Sequence, residues 1–211
     1  MYFACGSLMR YLHNPSPAHI KGGKRILRYL AGTKHLAIKF EREEDDRHKL
    51  CGYSDANFAN YDKAGYRSHP GWLFFLSGVV ISSSSKLQST VALSTTESEL
   101  YGLCMAAREA AWIKQILQDL RYQGADGKSV QIYGDNQGSI ALTSNPELHQ
   151  RSKHIGVKWW YIRKHVERKE ILISYYSTKE MPADGMTKPL PNTNHQRFLM
   201  LFRLNDIKQL L

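Results

Sequence analysis

Cysteine is scarce: the 211-residue chain has three, with no paired spacing. That argues against a disulfide framework and suggests a reducing compartment. Long apolar runs are missing. The longest, Trp72 to Ile81, is broken by Ser77 and Gly78 and is too short to span a bilayer. The opening stretch, MYFACGSLM, lacks the basic flank of a secretion signal. The expectation is a soluble intracellular protein with no membrane partner. Repeats and low-complexity tracts are absent apart from serines 82 to 85. Acids are the minority charge, 19 against 29 Lys and Arg, which leaves a formal net charge of +10. Such a balance suits a polyanionic partner, nucleic acid first and an anionic membrane surface second. Hydrophobic content of 42% is that of a globular chain.

Residues 1 to about 41 read as helical. Pro15 and Pro17 punctuate them, and Ala18 to Leu30 form a basic amphipathic piece carrying Lys21, Lys24, Arg25 and Arg28. HLAIKFE follows as a short strand candidate. The charged run EREEDDRH, 41 to 48, reads as the loop ahead of the main domain. The main domain opens with a strand in LCGYSDANFAN. Strands follow at Trp72 to Leu76 and Val79 to Ser84, joined at Ser77-Gly78, a pair suited to a tight hairpin. A long helix is predicted from about Thr95 to Leu120, then a strand over Val130 to Gly134. A helix over Asn136 to Thr143 comes next, and another over Ile155 to Lys169. The last strand is placed within Glu170 to Ser177. A short helix over Met181 to Thr187 and a C-terminal helix over His195 to Leu210 finish the chain. The order predicts an α/β domain with a five-stranded mixed sheet, three antiparallel strands then two parallel ones, flanked by helices.

Acids recur at element ends. Cys51, Tyr53 and Asp55 alternate onto one face of their strand. A carboxylate among such neighbours is costly to desolvate unless paired, hydrogen-bonded or bound to a cation. Glu99 lies in the first long helix, Asp135 ends the fourth strand and Asp184 lies near the start of a late helix. Each has a plainer reading. Asp55 suits a strand-ending turn, and Asp135 and Asp184 each suit a helix N-cap. Glu97 and Glu99 sit about 200° apart on a helix, so only one can face the sheet. Leu103, Ala106, Ala110, Ile113, Leu117 and Leu120 share the stripe of Glu99, whereas Glu97 falls near Arg108 and Gln115.

Acids in this order, with GYSDANFAN, LFFLSGVVISSSSKLQSTVALSTTESEL, AAW, IYGDNQGSIAL, NPELHQRSKHI and PADGMTKPL, resemble the ribonuclease H domain of copia-type retrotransposon polyproteins. The likeness covers roughly residues 49 to 191. RYLHNPSPAHIKGGKRILRYLAGT resembles the segment between polymerase and ribonuclease H domains in those polyproteins. The resemblance implies a ribonuclease H-like fold. It divides the chain into a basic helical remnant over 1–48, the ribonuclease H-like domain over 49–191 and a C-terminal helix over 192–211. The implied activity is metal-dependent hydrolysis of the RNA strand of an RNA–DNA hybrid, leaving 3′-hydroxyl and 5′-phosphate ends. Asp55, Glu99, Asp135 and Asp184 would hold two Mg²⁺ or Mn²⁺ ions, with Asp55 bridging and Asp184 on the nucleophile side. The predicted nucleic-acid contacts are Ser54, Asn57, Asn136, Arg151, Lys153, His154 and Arg163. The reverse transcriptase part of the same polyprotein is a second implied partner. The polymerase's own YxDD-type turn is absent, so no polymerase activity is expected.

The chain departs from the family pattern at Gly185, Gly156, Trp160 and in SHPGW, none of which removes a metal ligand. His149, His154 and His165 lack the spacing of a common zinc module, and phosphate contact suits this basic segment better. Of Trp159, Trp160 and Tyr161, at least two are expected in the core. The rival readings are a folded but inactive nucleic-acid-binding relic and a scaffold supporting a polymerase. Binding without cleavage would mark the first rival, and loss of converging acids the second.

Overall fold

The computed structural model describes residues 1–40, 49–59, 65–122, 127–144 and 156–209. Its centre is a strand pair whose every residue is committed to one face or the other. β2 (Leu50–Asn57) pairs antiparallel with β3 (His69–Leu76), with Asp55 opposite Gly71. All but the last residue of β3 are buried, so this strand is covered on both faces. Trp72 and Phe74 point to one side, Leu73 and Phe75 to the other. β4 (Val79–Ser85) returns along β3 after the Ser77-Gly78 turn. Both turn residues have positive φ, 51° and 75°, as a type I′ hairpin demands.

α3 (Thr95–Asp119) then crosses the sheet, and β5 (Val130–Gly134) enters parallel to β2. α4 (Gln137–Ser144) and α5 (Gly156–Glu167) lead to β6 (Ile171–Tyr175), parallel to β5. The sheet order is β4-β3-β2-β5-β6, three antiparallel strands and two parallel additions, as the sequence predicted. Leu100, Leu103, Ala106, Ala110, Ile113 and Leu117 of α3 pack with Ile132, Trp159 and Ile162 on one face of the sheet. Leu120 leaves that stripe: it caps the helix and is 71% exposed. Trp159 is buried, Tyr161 packs partly against the same core and Trp160 is exposed.

The other face carries α6 (Asp184–Thr187) and α7 (Asn192–Leu201). Leu73, Phe75 and Met186 form a second cluster there, joined by Phe198 and Phe202. The C-terminal helix is shorter than predicted. It ends at Leu201, and β7 (Leu204–Asp206) pairs antiparallel with β1 (Leu36–Ile38). A three-residue strand has no periodicity to read; its partner at the far end of the chain defines it.

α1 (Tyr2–Met9) and α2 (Pro17–Thr33) precede β1. Phe3 of α1 sets its ring edge against His69 at 5.0 Å. Arg10 Nη2 lies 3.4 Å from His69 Nδ1. On the other side His69 Nε2 lies 2.9 Å from Ser85 Oγ, which donates to the Met186 carbonyl at 2.5 Å. Arginine can only donate, so the chain of bonds runs from Arg10 through His69 and Ser85 to α6. This gives His69, in the departing SHPGW stretch, a structural task. α2 buries none of its residues and leaves Ile20 and Leu27 exposed. The charged loop predicted over 41–48 lies outside the described residues.

Candidate active site

Asp55 sits near the end of β2 at 5% exposure. Gly71 opposite it has no side chain, and a Cβ there would lie 2.5 Å from the Met186 Cβ. That vacancy lets α6 dock against the strand pair. Thr187, wholly buried on α6, donates its hydroxyl to Asp55 Oδ2. The same hydroxyl oxygen lies 3.2 Å from the Asp184 carbonyl.

Glu99 is aimed by the start of α3. Ser94 caps the helix, accepting from the Glu97 N–H at 3.1 Å, while Glu97 Oε2 accepts from the Leu93 N–H at 2.7 Å. Both bonds tie the first turn of the helix to the chain ahead of it, and they turn the Glu97 side chain away from the sheet. Glu99 turns the other way, 8% exposed, and accepts a backbone hydrogen bond from Ala56. One turn on, Gly102 brings the helix close to the strand; its Cβ would meet Ser54 Oγ at 3.1 Å and the Asp55 carbonyl at 3.5 Å.

Asp135 follows β5 directly. The capping of α4 falls to its neighbour: Asn136 Oδ1 accepts from the Ser139 N–H at 2.8 Å. The ligand oxygens of Asp55, Glu99 and Asp135 all lie within 4.8 Å of one another. Asp184, the fourth predicted acid, opens α6 and lies outside this group of three, close enough for its charge to act on Asp55. Lys188 Nζ is 2.7 Å from its Oδ1.

The electrostatics follow from crowding. Burial above all pushes Asp55 up to about 6, with Asp184 and Asp135 adding to it and the Thr187 bond opposing. Burial first, then the charges of Asp55 and Asp135, push Glu99 up to about 9. Carboxylates held together out of water favour protons or cations between them. Every donor in the group is a hard oxygen, which suits Mg²⁺ or Mn²⁺ better than zinc. The residues present therefore fit divalent cations.

The predicted nucleic-acid contacts fare differently. Ser54 is fully buried beneath Gly102 of α3, because β2 alternates and turns it away from Asp55. Asn57 is half-buried at the end of β2. The side-chain oxygen of Asn136 is taken by the helix cap. Arg163 pairs with Glu167 at 2.6 Å and lies over the Trp159 ring at 5.1 Å. Arg151, Lys153 and His154 lie outside the described residues, as does His149. His165 bonds Glu170. Two site residues escaped the sequence reading, Thr187 and Lys188. The available signal was their spacing, three and four residues after Asp184, which one helical turn brings back over it.

The sheet order and crossing helices are those of the α/β class with a ribonuclease H fold. The ribonuclease H1 LC11, isolated from compost by a metagenomic approach, superposes with a TM-score of 0.51 at 14% identity, over 66% of this chain and 93% of its own. No protein-family model matches the chain. The retrovirus-related Pol polyprotein from transposon TNT 1-94 of Nicotiana tabacum is 39% identical over 92% of this chain. The chain is homologous to one segment of the retrovirus-related Pol polyproteins of copia-type transposons. It spans 14% of the tobacco polyprotein. A shorter relative, secreted RxLR effector protein 161 of Plasmopara viticola, is 44% identical over 52% of this chain and 75% of its own length.

Proposed function

We propose that this chain is a metal-dependent endoribonuclease that hydrolyses the RNA strand of RNA–DNA hybrids. The observation that carries the reading is the convergence of Asp55, Glu99 and Asp135 within 4.8 Å, from three separate elements, in a basic protein of this family. Two divalent cations at such carboxylates activate a water and stabilise the leaving oxygen of a phosphodiester. Asp55, Glu99, Asp135 and Asp184 would hold these cations, Asp55 as the shared ligand and Asp184 toward the attacking water. Thr187 fixes one oxygen of Asp55, leaving the other for a cation. Glu99 holds its place through the Ala56 bond and would bind a cation as the carboxylate. The products are a 3′-hydroxyl and a 5′-phosphate.

The basic excess supplies the grip on phosphates. Residues 1–48 form the connection to a reverse transcriptase part, 49–191 the catalytic domain and 192–211 the closing segment. The place of action is inside the cell, in a cytoplasmic particle or the nucleus. Among the described residues no helix is long and apolar enough to cross a membrane. The test uses end-labelled RNA–DNA hybrid, duplex RNA and duplex DNA side by side. Cleavage confined to the RNA of the hybrid, with the stated ends, supports the reading. Binding of the hybrid with no cleavage in Mg²⁺ or Mn²⁺ contradicts it.

A further inference from the structure

Lys188 has a position that the proposed hydrolysis does not by itself require. α6 is a single turn, and the Lys188 N–H closes it by donating to the Asp184 carbonyl at 3.1 Å. The turn lays the lysine stem back over its own first residue, with Nζ 2.7 Å from Asp184 Oδ1. The two side chains are 39% and 18% exposed, so water screens this pair only in part. Its charge also reaches the rest of the cluster: Asp55 from β2, Glu99 from α3 and Asp135 after β5 all feel the ammonium. An ammonium is a compact, strongly hydrated point charge on a flexible stem. It can pair with a carboxylate and still swing clear.

We propose that Lys188 is a built-in counter-cation, holding Asp184 in the metal-free protein and giving up that carboxylate when a divalent cation arrives. The proposal rests on the reading of the acids as metal ligands. The exchange is of ions only: the Nζ–Oδ1 contact breaks, the metal takes the carboxylate oxygen, and the ammonium keeps its proton and moves into water. Asp184 is thus spared an unpaired state beside three other acids. The consequence has a definite sign. Lysine competes with the metal, so removing the lysine strengthens metal binding, whereas general damage to the site would weaken it.

Calorimetric titration of Mn²⁺ into the full chain at low salt tests this, with wild type, Lys188→Gln, Lys188→Arg and Asp55→Asn compared. Lys188→Gln is expected to lower the Kd of the weaker site about tenfold, equal to about 1.4 kcal/mol. It is also expected to melt earlier than wild type in EDTA and to gain more from added metal. Lys188→Arg keeps the wild-type affinity within a few-fold. A Lys188→Gln protein that binds metal no better than wild type, or less well, overturns the proposal. One that loses hybrid affinity with unchanged metal affinity overturns it too, and makes Lys188 a phosphate contact. Asp55→Asn separates the two readings: if it binds metal as wild type does, the carboxylate cluster is not the metal site at all. Wild-type protein gives a second measurement free of mutation. The Lys188 Cε resonance is expected to shift in step with Mg²⁺ binding at the Asp184 site. A resonance that stays put while metal binds overturns the exchange.

Discussion

Glu97 and Glu99 stand two residues apart and do different work. Glu97 gives its N–H to the Ser94 cap and accepts from the Leu93 N–H, while Glu99 is buried against β2 within reach of Asp55 and Asp135. Glu99→Gln is therefore expected to lose Mg²⁺-dependent cleavage by at least two orders of magnitude. Glu97→Gln is expected to keep most of it and cost up to about 1 kcal/mol of stability. Paired cleavage assays and urea melts check both; the reverse ranking contradicts the assignment. Glu99 also sets a pH dependence. In the folded, metal-free protein its carboxyl is pushed up to about 9, from an ordinary value of 4.5. Between those two values the unfolded chain releases the proton and the folded chain retains it. Stability from this group is present below the lower value and falls as pH rises through the window. Glu99→Gln removes the loss, so its stability advantage over wild type in EDTA is expected to widen from pH 5 to pH 9. A constant gap would contradict the burial argument.

At the scale of elements, the docking of α6 and α7 decides where Asp184 and Thr187 sit. Gly185 departs from an aliphatic pattern, and the structure gives the reason: a Cβ there would strike the Phe198 ring at 2.4 Å. The aromatic ring from α7 occupies the space a side chain would need. Gly185→Leu is expected to cost about 1–3 kcal/mol through overpacking. Adding Phe198→Ala to Gly185→Leu is expected to recover part of that cost, which a double-mutant cycle in urea measures. Additive losses would show that the two residues do not compete for one space. These elements also mark the limits of reading the chain. The five sheet strands and α3 were legible because alternation and helical stripes repeat over enough residues. The same period of two turns Ser54 away from Asp55 and buries it under α3, which the strand alternation alone makes legible. Thr187 and Lys188 were legible only as positions one helical turn after Asp184; their contacts exist only once a four-residue helix folds back on it. The strand Leu204–Asp206 was hidden for a like reason, since its partner lies at the opposite end of the chain.

Across the whole molecule, the ends of the chain meet. β1 pairs with β7, and Tyr29 of α2 lies 3.2 Å from His195 of α7. Arg10 and Phe3 cover His69, which is only 1% exposed. Deleting residues 1–40 therefore strips a partner from a buried histidine and unpairs β7. The five-stranded sheet and α3 keep their own core, so the shortened chain is expected to unfold in one transition, about 1–3 kcal/mol less stable. An unchanged midpoint would show that the N-terminal segment contributes nothing to the fold. The central claim is that carboxylates brought together by β2, α3 and β5 cut RNA paired to DNA with the help of divalent cations. The most direct measurement is single-turnover cleavage of a labelled hybrid by wild type and Asp55→Asn, each in Mg²⁺ and in EDTA. The account predicts cleavage by wild type in Mg²⁺ alone, with Asp55→Asn inactive yet folded and still bound to hybrid. Cleavage that survives EDTA, or that Asp55→Asn performs at the wild-type rate, would contradict it.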